Sequence, residues 1–195
     1  MNSHTLLLTT VLAVTSLGGC THAIQMNPDL DALRGAEEER LDIAVAYYVS
    51  LSQNLEVVTS ASGGGDSIKY YPYRDTETAM RTILSEKFRK VYALKSSIED
   101  PLVAEKDIKY VFTPELQTSS KSDSAFFWPP TSFTVQLTCK AYSADGEELW
   151  SKQVTGYGTA TKSEFQDNFS AAAHKASTDA FRRMRDQILA AEELR

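Results

Sequence analysis

Few side chains in this chain of 195 residues have the type and spacing for chemistry. There are three histidines, His4, His22 and His174. Only His174 falls in a segment with the periodicity of a folded element. No Gly-x-Ser-x-Gly nucleophile elbow accompanies it, and it reads as a helix-surface residue. There is no His-x-x-x-His, no closely spaced cysteine pair and no acidic loop with its glycine, so no metal is expected. Asp and Glu are scattered without the pairing that glycoside hydrolysis needs. The two cysteines, Cys20 and Cys139, lie far apart. Cys139 sits inside an apolar alternation, as a buried thiol would. The expectation is a protein that is not an enzyme and carries no cofactor.

Two aromatic clusters are better suited to recognition. Phe126-Phe127-Trp128 precedes Pro129-Pro130, whose rings stiffen the backbone. Exposed, these three rings would form a surface for a protein, membrane or glycan. The competing reading folds them back to cap the core ahead of the next strand. Tyr70, Tyr71 and Tyr73, around Pro72, could offer hydroxyls and ring faces to a sugar or peptide, or could simply finish a strand. Two basic groups, Lys87-Arg89-Lys90 and Arg182-Arg183-Arg185, suit phosphates or acidic lipids. Both also fit the solvated face of an amphipathic helix. Gly63-Gly64-Gly65-Asp66 lacks the Lys-Ser/Thr of a phosphate loop and reads as a plain loop.

The composition bounds the class. The chain is 42% hydrophobic and 24% charged, which suits one folded domain and excludes disorder and disulfide scaffolds. Its net charge of −6 argues against nucleic acid as a partner.

Residues 1–20 contain no Asp, Glu, Lys or Arg. The apolar run from Leu6 to Leu17 is about a dozen residues, the length of a signal-peptide core and short of the ~20 needed to span a bilayer. Ser16-Leu17-Gly18-Gly19-Cys20 resembles the lipobox of bacterial lipoproteins. The resemblance implies cleavage after residue 19 and lipidation, including palmitate, at Cys20, which becomes the mature N-terminus. Thr21 follows, and not Asp. By the sorting rule of enterobacterial lipoproteins this implies the outer membrane, lipid-anchored on its periplasmic side.

The elements follow from periodicity. Residues 1–19 are expected as signal peptide, 20–40 as lipidated Cys and tether, and 41–195 as one periplasmic α+β domain. Leu41, Ile43, Val45, Tyr47, Val49 and Leu51 alternate as a strand with one buried face. A helix capped by Asp75 carries Ala79, Met80, Ile83, Leu84 and Phe88 on one side. Ile108 to Leu116 alternate again, and Pro114 within them predicts an edge or a bulge. Phe133, Val135, Leu137, Cys139 and Ala141 alternate with Thr134, Gln136, Thr138 and Lys140. Asp145-Gly146 predicts the hairpin to the next strand. A helix of nearly 25 residues, capped by Ser163, runs from Phe165 to Ile188, and its alanines allow close approach to a sheet. The predicted fold is a mixed, largely antiparallel sheet packed on one face by two helices, the C-terminal one long.

This body, with Leu149-Trp150, Thr155-Gly156-Tyr157-Gly158 and an alanine-rich last helix, is similar in pattern to small periplasmic lipoproteins of the YajG-like and transport-auxiliary groups. The resemblance implies a non-catalytic accessory or binding module in envelope assembly, maintenance or transport, with an envelope protein as partner. The alternative is direct binding of peptidoglycan, lipopolysaccharide or phospholipid.

Overall fold

The computed structural model describes residues 20–35, 39–61, 67–121 and 132–195. The leader, the triple glycine and the aromatics Phe126, Phe127 and Trp128 lie outside these residues.

The described residues run through β1 (Thr21–Ala23), α1 (Leu30–Leu33), β2 (Leu41–Tyr48), α2 (Leu51–Asn54), β3 (Val58–Ala61) and β4 (Ser67–Tyr70). They continue through α3 (Pro72–Lys87), β5 (Phe88–Leu94), α4 (Pro101–Glu105), β6 (Ile108–Lys121), β7 (Ser132–Ser143) and β8 (Glu148–Thr159). They end with α5 (Lys162–Asp167), α6 (Ala171–Ala190) and a 3-10 turn, Glu192–Leu194. The fold is α+β. A five-stranded sheet has the order β5-β2-β6-β7-β8, and a second, three-stranded sheet has the order β1-β4-β3.

The main sheet is mixed for a topological reason. β2 runs parallel to both neighbours, β5 and β6, while β6, β7 and β8 form an antiparallel meander. Parallel neighbours need crossover connections, which here carry α3 and α4. The long helices α3 and α6 pack together on one face of the sheet. The short α4 packs on the other, over a small second core of Ala44, Ala46, Val103 and Val111. β2 is therefore buried on both sides. Val45 and Tyr47 face the main core and Ala44 and Ala46 the second.

Pro114 shows where β6 changes surroundings. Pairing with β2 ends at Tyr47 opposite Phe112, so Pro114 has a strand neighbour only in β7. β6 is interior in its first half and an edge in its second, which is where proline is tolerated.

α6 lies very close to β8. A Cβ on Gly156 would fall on the backbone of Ala176 and Ala180, and one on Gly158 on that of Ala172 and Ala176. Two glycines on the strand meet alanines spaced four apart on the helix. The hairpin at Asp145-Gly146 forms as expected, with Gly146 at φ +88°.

Several expectations need correction. Residues 20–35 are not a tether. β1 pairs with β4, and Ile24, Met26 and Leu33 are buried in the main core. The sparse periodicity there reflects irregular backbone threaded onto α3 and α6 by side-chain acceptors. The amides of Gln25, Met26 and Asp29 donate to Ser170 Oγ (3.0 Å), Asp75 Oδ2 (3.2 Å) and Thr178 Oγ1 (2.9 Å). Asp75 is thus not the cap of α3. That helix starts at Pro72, where the missing N–H costs nothing. The last helix is two helices. Thr161, not Ser163, caps α5 in a reciprocal capping box with Glu164. The chain breaks at Asn168, whose side chain accepts from the Ser170 amide at 2.9 Å, before α6 begins.

Candidate functional site

Cys20 lies exposed at one end of the molecule. Its carbonyl accepts the Ser67 amide at 3.0 Å, and the β1 ladder pairs Thr21 with Ser67, His22 with Ile68 and Ala23 with Lys69. Ser67 also pairs with Ala61 of β3. Next along β3, Ser60 Oγ accepts from Ser120 Oγ at 3.1 Å, near the end of β6. Lys121 pairs with Ser132, which pairs with Thr159. Cys20 therefore shares an end of the fold with the last residues of β3, β6 and β8. The other thiol is buried. Cys139 has no exposed surface, and burial pushes its thiol well above the ordinary range, so it stays protonated and inert.

The three tyrosines do not share an exposed surface. Tyr70 is 1% exposed; its hydroxyl bonds Thr118 Oγ1 at 2.7 Å and its ring meets Phe133 edge-on at 5.3 Å. Burial raises its phenol pKa. Tyr73 is buried and accepts the Leu116 amide at 3.1 Å. Only Tyr71 is partly open, and the Arg74 guanidinium covers its ring at 3.4 Å. Tyr70 and Tyr73 thus tie β4 and the start of α3 to β6 and are structural.

The basic groups also divide. Lys87 is buried, and its ammonium donates to the carbonyls of Ile188 (2.8 Å) and Ala191 (2.6 Å) at the end of α6. Arg185 donates to the carbonyls of Leu33 and Arg34 at 3.0 and 3.2 Å and so holds α1. Arg182 and Arg183 both engage Asp179, at 2.9 and 3.0 Å. Lys90 pairs with Asp42 at 3.4 Å. Lys87 and Arg185 are thus tied to backbone carbonyls, and Lys90, Arg182 and Arg183 to neighbouring carboxylates.

His174 is half-buried on α6 and lines an open cleft of about 420 Å³ with Asp29, Thr178 and Arg182. A larger cleft, about 520 Å³, lies where β2 and β6 begin and β7 ends, lined by Asp42, Lys90, Lys106, Asp107 and Asp145. Among the described residues no three His, Cys, Asp or Glu side chains are grouped to hold a metal ion.

One surface went unweighed in the sequence. The β6–β8 meander presents its second face as cross-strand rows: Ser119-Thr134-Tyr157, Gln117-Gln136-Thr155 and Glu115-Thr138-Gln153. These side chains are exposed or half-exposed, with Tyr157 at 64%. Gln153 donates to Thr138 Oγ1 at 3.1 Å. The face offers amides and hydroxyls on a rigid frame. Its signal was the polar half of the β7 alternation, Thr134, Gln136, Thr138 and Lys140.

No family model matches the sequence, and neither does any curated protein. Among solved structures, the chain is similar to a Xanthomonas campestris protein of family DUF330, at 12% identity and TM-score 0.48, covering 87% of this chain and 92% of that one. It is also similar to a PelC dodecamer subunit from Paraburkholderia phytofirmans (13%, TM-score 0.39, covering 74% and 95%). A third is a candidate lipoprotein of Caulobacter crescentus (11%, TM-score 0.32, covering 67% and 84%). Likenesses this distant assign no activity to the chain. Among the described residues no helix is long and apolar enough to cross a membrane.

Proposed function

We propose that this protein is a bacterial lipoprotein, anchored through Cys20 at the periplasmic side of the outer membrane. In this reading it serves as a non-catalytic binding module in the cell envelope. The observation that carries the reading is the position of Cys20. It directly follows the apolar leader, its carbonyl accepts the Ser67 amide, and it is exposed while Cys139 is sealed. A thiol at that point can be acylated without disturbing the core. Thr21 at the next position favours the outer membrane by the sorting rule for such proteins.

The binding role is supported by the open face of β6, β7 and β8. Gln117, Gln136 and Gln153 stand on adjacent strands, held at sheet spacing, and suit a partner that supplies peptide groups or hydroxyls. The site residues thus move from the tyrosine cluster to this face.

The test is a photo-crosslinking side chain at Gln136 in the full-length protein, irradiated in intact cells. The expected result is a discrete protein adduct that disappears with Cys20→Ser and is not formed from the exposed Arg89 position. No adduct from Gln136 in a folded, membrane-bound protein would overturn the protein-partner reading and favour a glycan or lipid ligand.

A further inference from the structure

We propose that the Cys20 end of the molecule is a bilayer-facing surface, held against phospholipid headgroups by the anchor itself. The inference rests on lipidation of Cys20 as read above. Its own ground is the length of chain between the anchor and the fold, which is nil. A free tether of twenty residues would reach roughly 70 Å and leave the domain's orientation open. Here the first residue after Cys20 is already paired with β4. The Ile24 amide follows by donating to the Lys69 carbonyl at 3.0 Å, and Met26 is fully buried.

The direction is set by the strands. β1 leads away from Cys20 into the fold, and Cys20 lies beside Ser67, at the end where β6 and β8 finish. β6 has 14 residues, so its first residue lies roughly 45 Å along the strand from that end. That first residue, Ile108, lines the cleft of Asp42 and Lys90. The cleft therefore points away from the membrane. The open Gln face runs between the two ends and stands across the bilayer plane.

The chemistry at the Cys20 end suits a headgroup layer. Phe169 is 47% exposed, with its ring edge-on to His22 at 6.3 Å. Lys162 is exposed at the start of α5, just past the end of β8. An exposed aromatic ring packed on His22, with a lysine on the neighbouring helix, fits the polar-apolar boundary of a bilayer, where amphipathic side chains settle.

The experiment uses full-length, lipidated protein in phosphatidylethanolamine–phosphatidylglycerol vesicles containing a headgroup spin-labelled lipid. A bimane probe is placed at Thr159→Cys, at the anchored end, or at Asp145→Cys, at the cleft end. The expected result is loss of most emission from the probe at 159 and retention at 145. Inserting a flexible Gly-Ser segment of about fifteen residues after Cys20, with a reach of roughly 50 Å, should abolish the difference. Equal quenching at both sites without the insert, in protein that floats with the vesicles and melts normally, would overturn the orientation. An N-terminal peptide without acyl chains would instead overturn the lipidation reading, and this inference with it, by a separate readout.

Discussion

The carbonyl oxygen of Cys20 accepts the backbone amide of Ser67 at 3.0 Å, so the residue proposed to carry the lipid is itself part of the sheet edge. A lipid on its side chain is then bonded to a rigid body. Anchor and domain would move as one unit, which ties function to orientation at the membrane.

The contact between β8 and α6 is the most sensitive packing in the fold. Gly158→Ala puts a methyl onto the Ala172 carbonyl and the Ala176 amide. Backbone atoms cannot rotate away as a side chain can. The expected cost is about 1–3 kcal/mol, and more for Gly158→Val. In a chain of this size each kcal/mol lowers Tm by about 2–4 °C. Thermal melting of the two variants checks this, and an unchanged Tm would contradict the close approach.

Lys87 should matter through carbonyls and not through a carboxylate. Its ammonium satisfies Ile188 and Ala191 at the end of α6. Lys87→Met keeps the stem but takes this donor from the Ala191 carbonyl and leaves the Ile188 carbonyl only the Ala191 amide, at a cost of about 1.5–3 kcal/mol. Chemical denaturation of the variant tests this. Arg182→Met, on the exposed side of α6, should cost less than about 1 kcal/mol.

Acid should loosen the start of α5. Glu164 accepts from Lys175 Nζ at 2.7 Å and from the Thr161 amide at 2.9 Å, which lowers its carboxyl from 4.5 to about 2. A depressed folded-state pKa contributes stability that is complete above the unfolded value. That contribution is lost as pH falls from about 4.5 towards 2. Melting curves of the parent and Glu164→Gln should therefore differ at pH 7 and converge near pH 2.

Cys139 should be silent to thiol reagents in the folded protein. With no exposed surface and a raised pKa, it reacts only when the domain opens. Alkylation followed by mass spectrometry should show no modification at Cys139 in native buffer and full modification in denaturant. Rapid native labelling would contradict the packing of β7.

Much of this architecture was legible in the sequence. The alternation through Phe133, Val135, Leu137 and Cys139 gave β7 and its buried face, and Asp145-Gly146 placed the hairpin. Alanines at helical spacing correctly announced a close helix–sheet contact, though not that Gly156 and Gly158 were its other half. The failures have one physical source. Asp75, Tyr73, Lys87, Arg185 and Ser170 each satisfy a backbone group distant in sequence, and no local pattern encodes such a bond. Residues 20–35 looked like a tether for the same reason, since their hydrogen bonds go to side chains on α3 and α6. The tyrosine cluster stayed ambiguous because aromatic composition alone cannot tell a filled gap from an exposed patch.

The central claim is the anchor at Cys20, and the most direct measurement is mass spectrometry of the mature N-terminal peptide from purified membranes. The account predicts a tryptic peptide that begins at Cys20, ends at Arg34 and carries the mass of acyl chains on Cys20; Cys20→Ser should abolish it and release the protein from the membrane. An unmodified peptide that retains residues 1–19 would contradict the account.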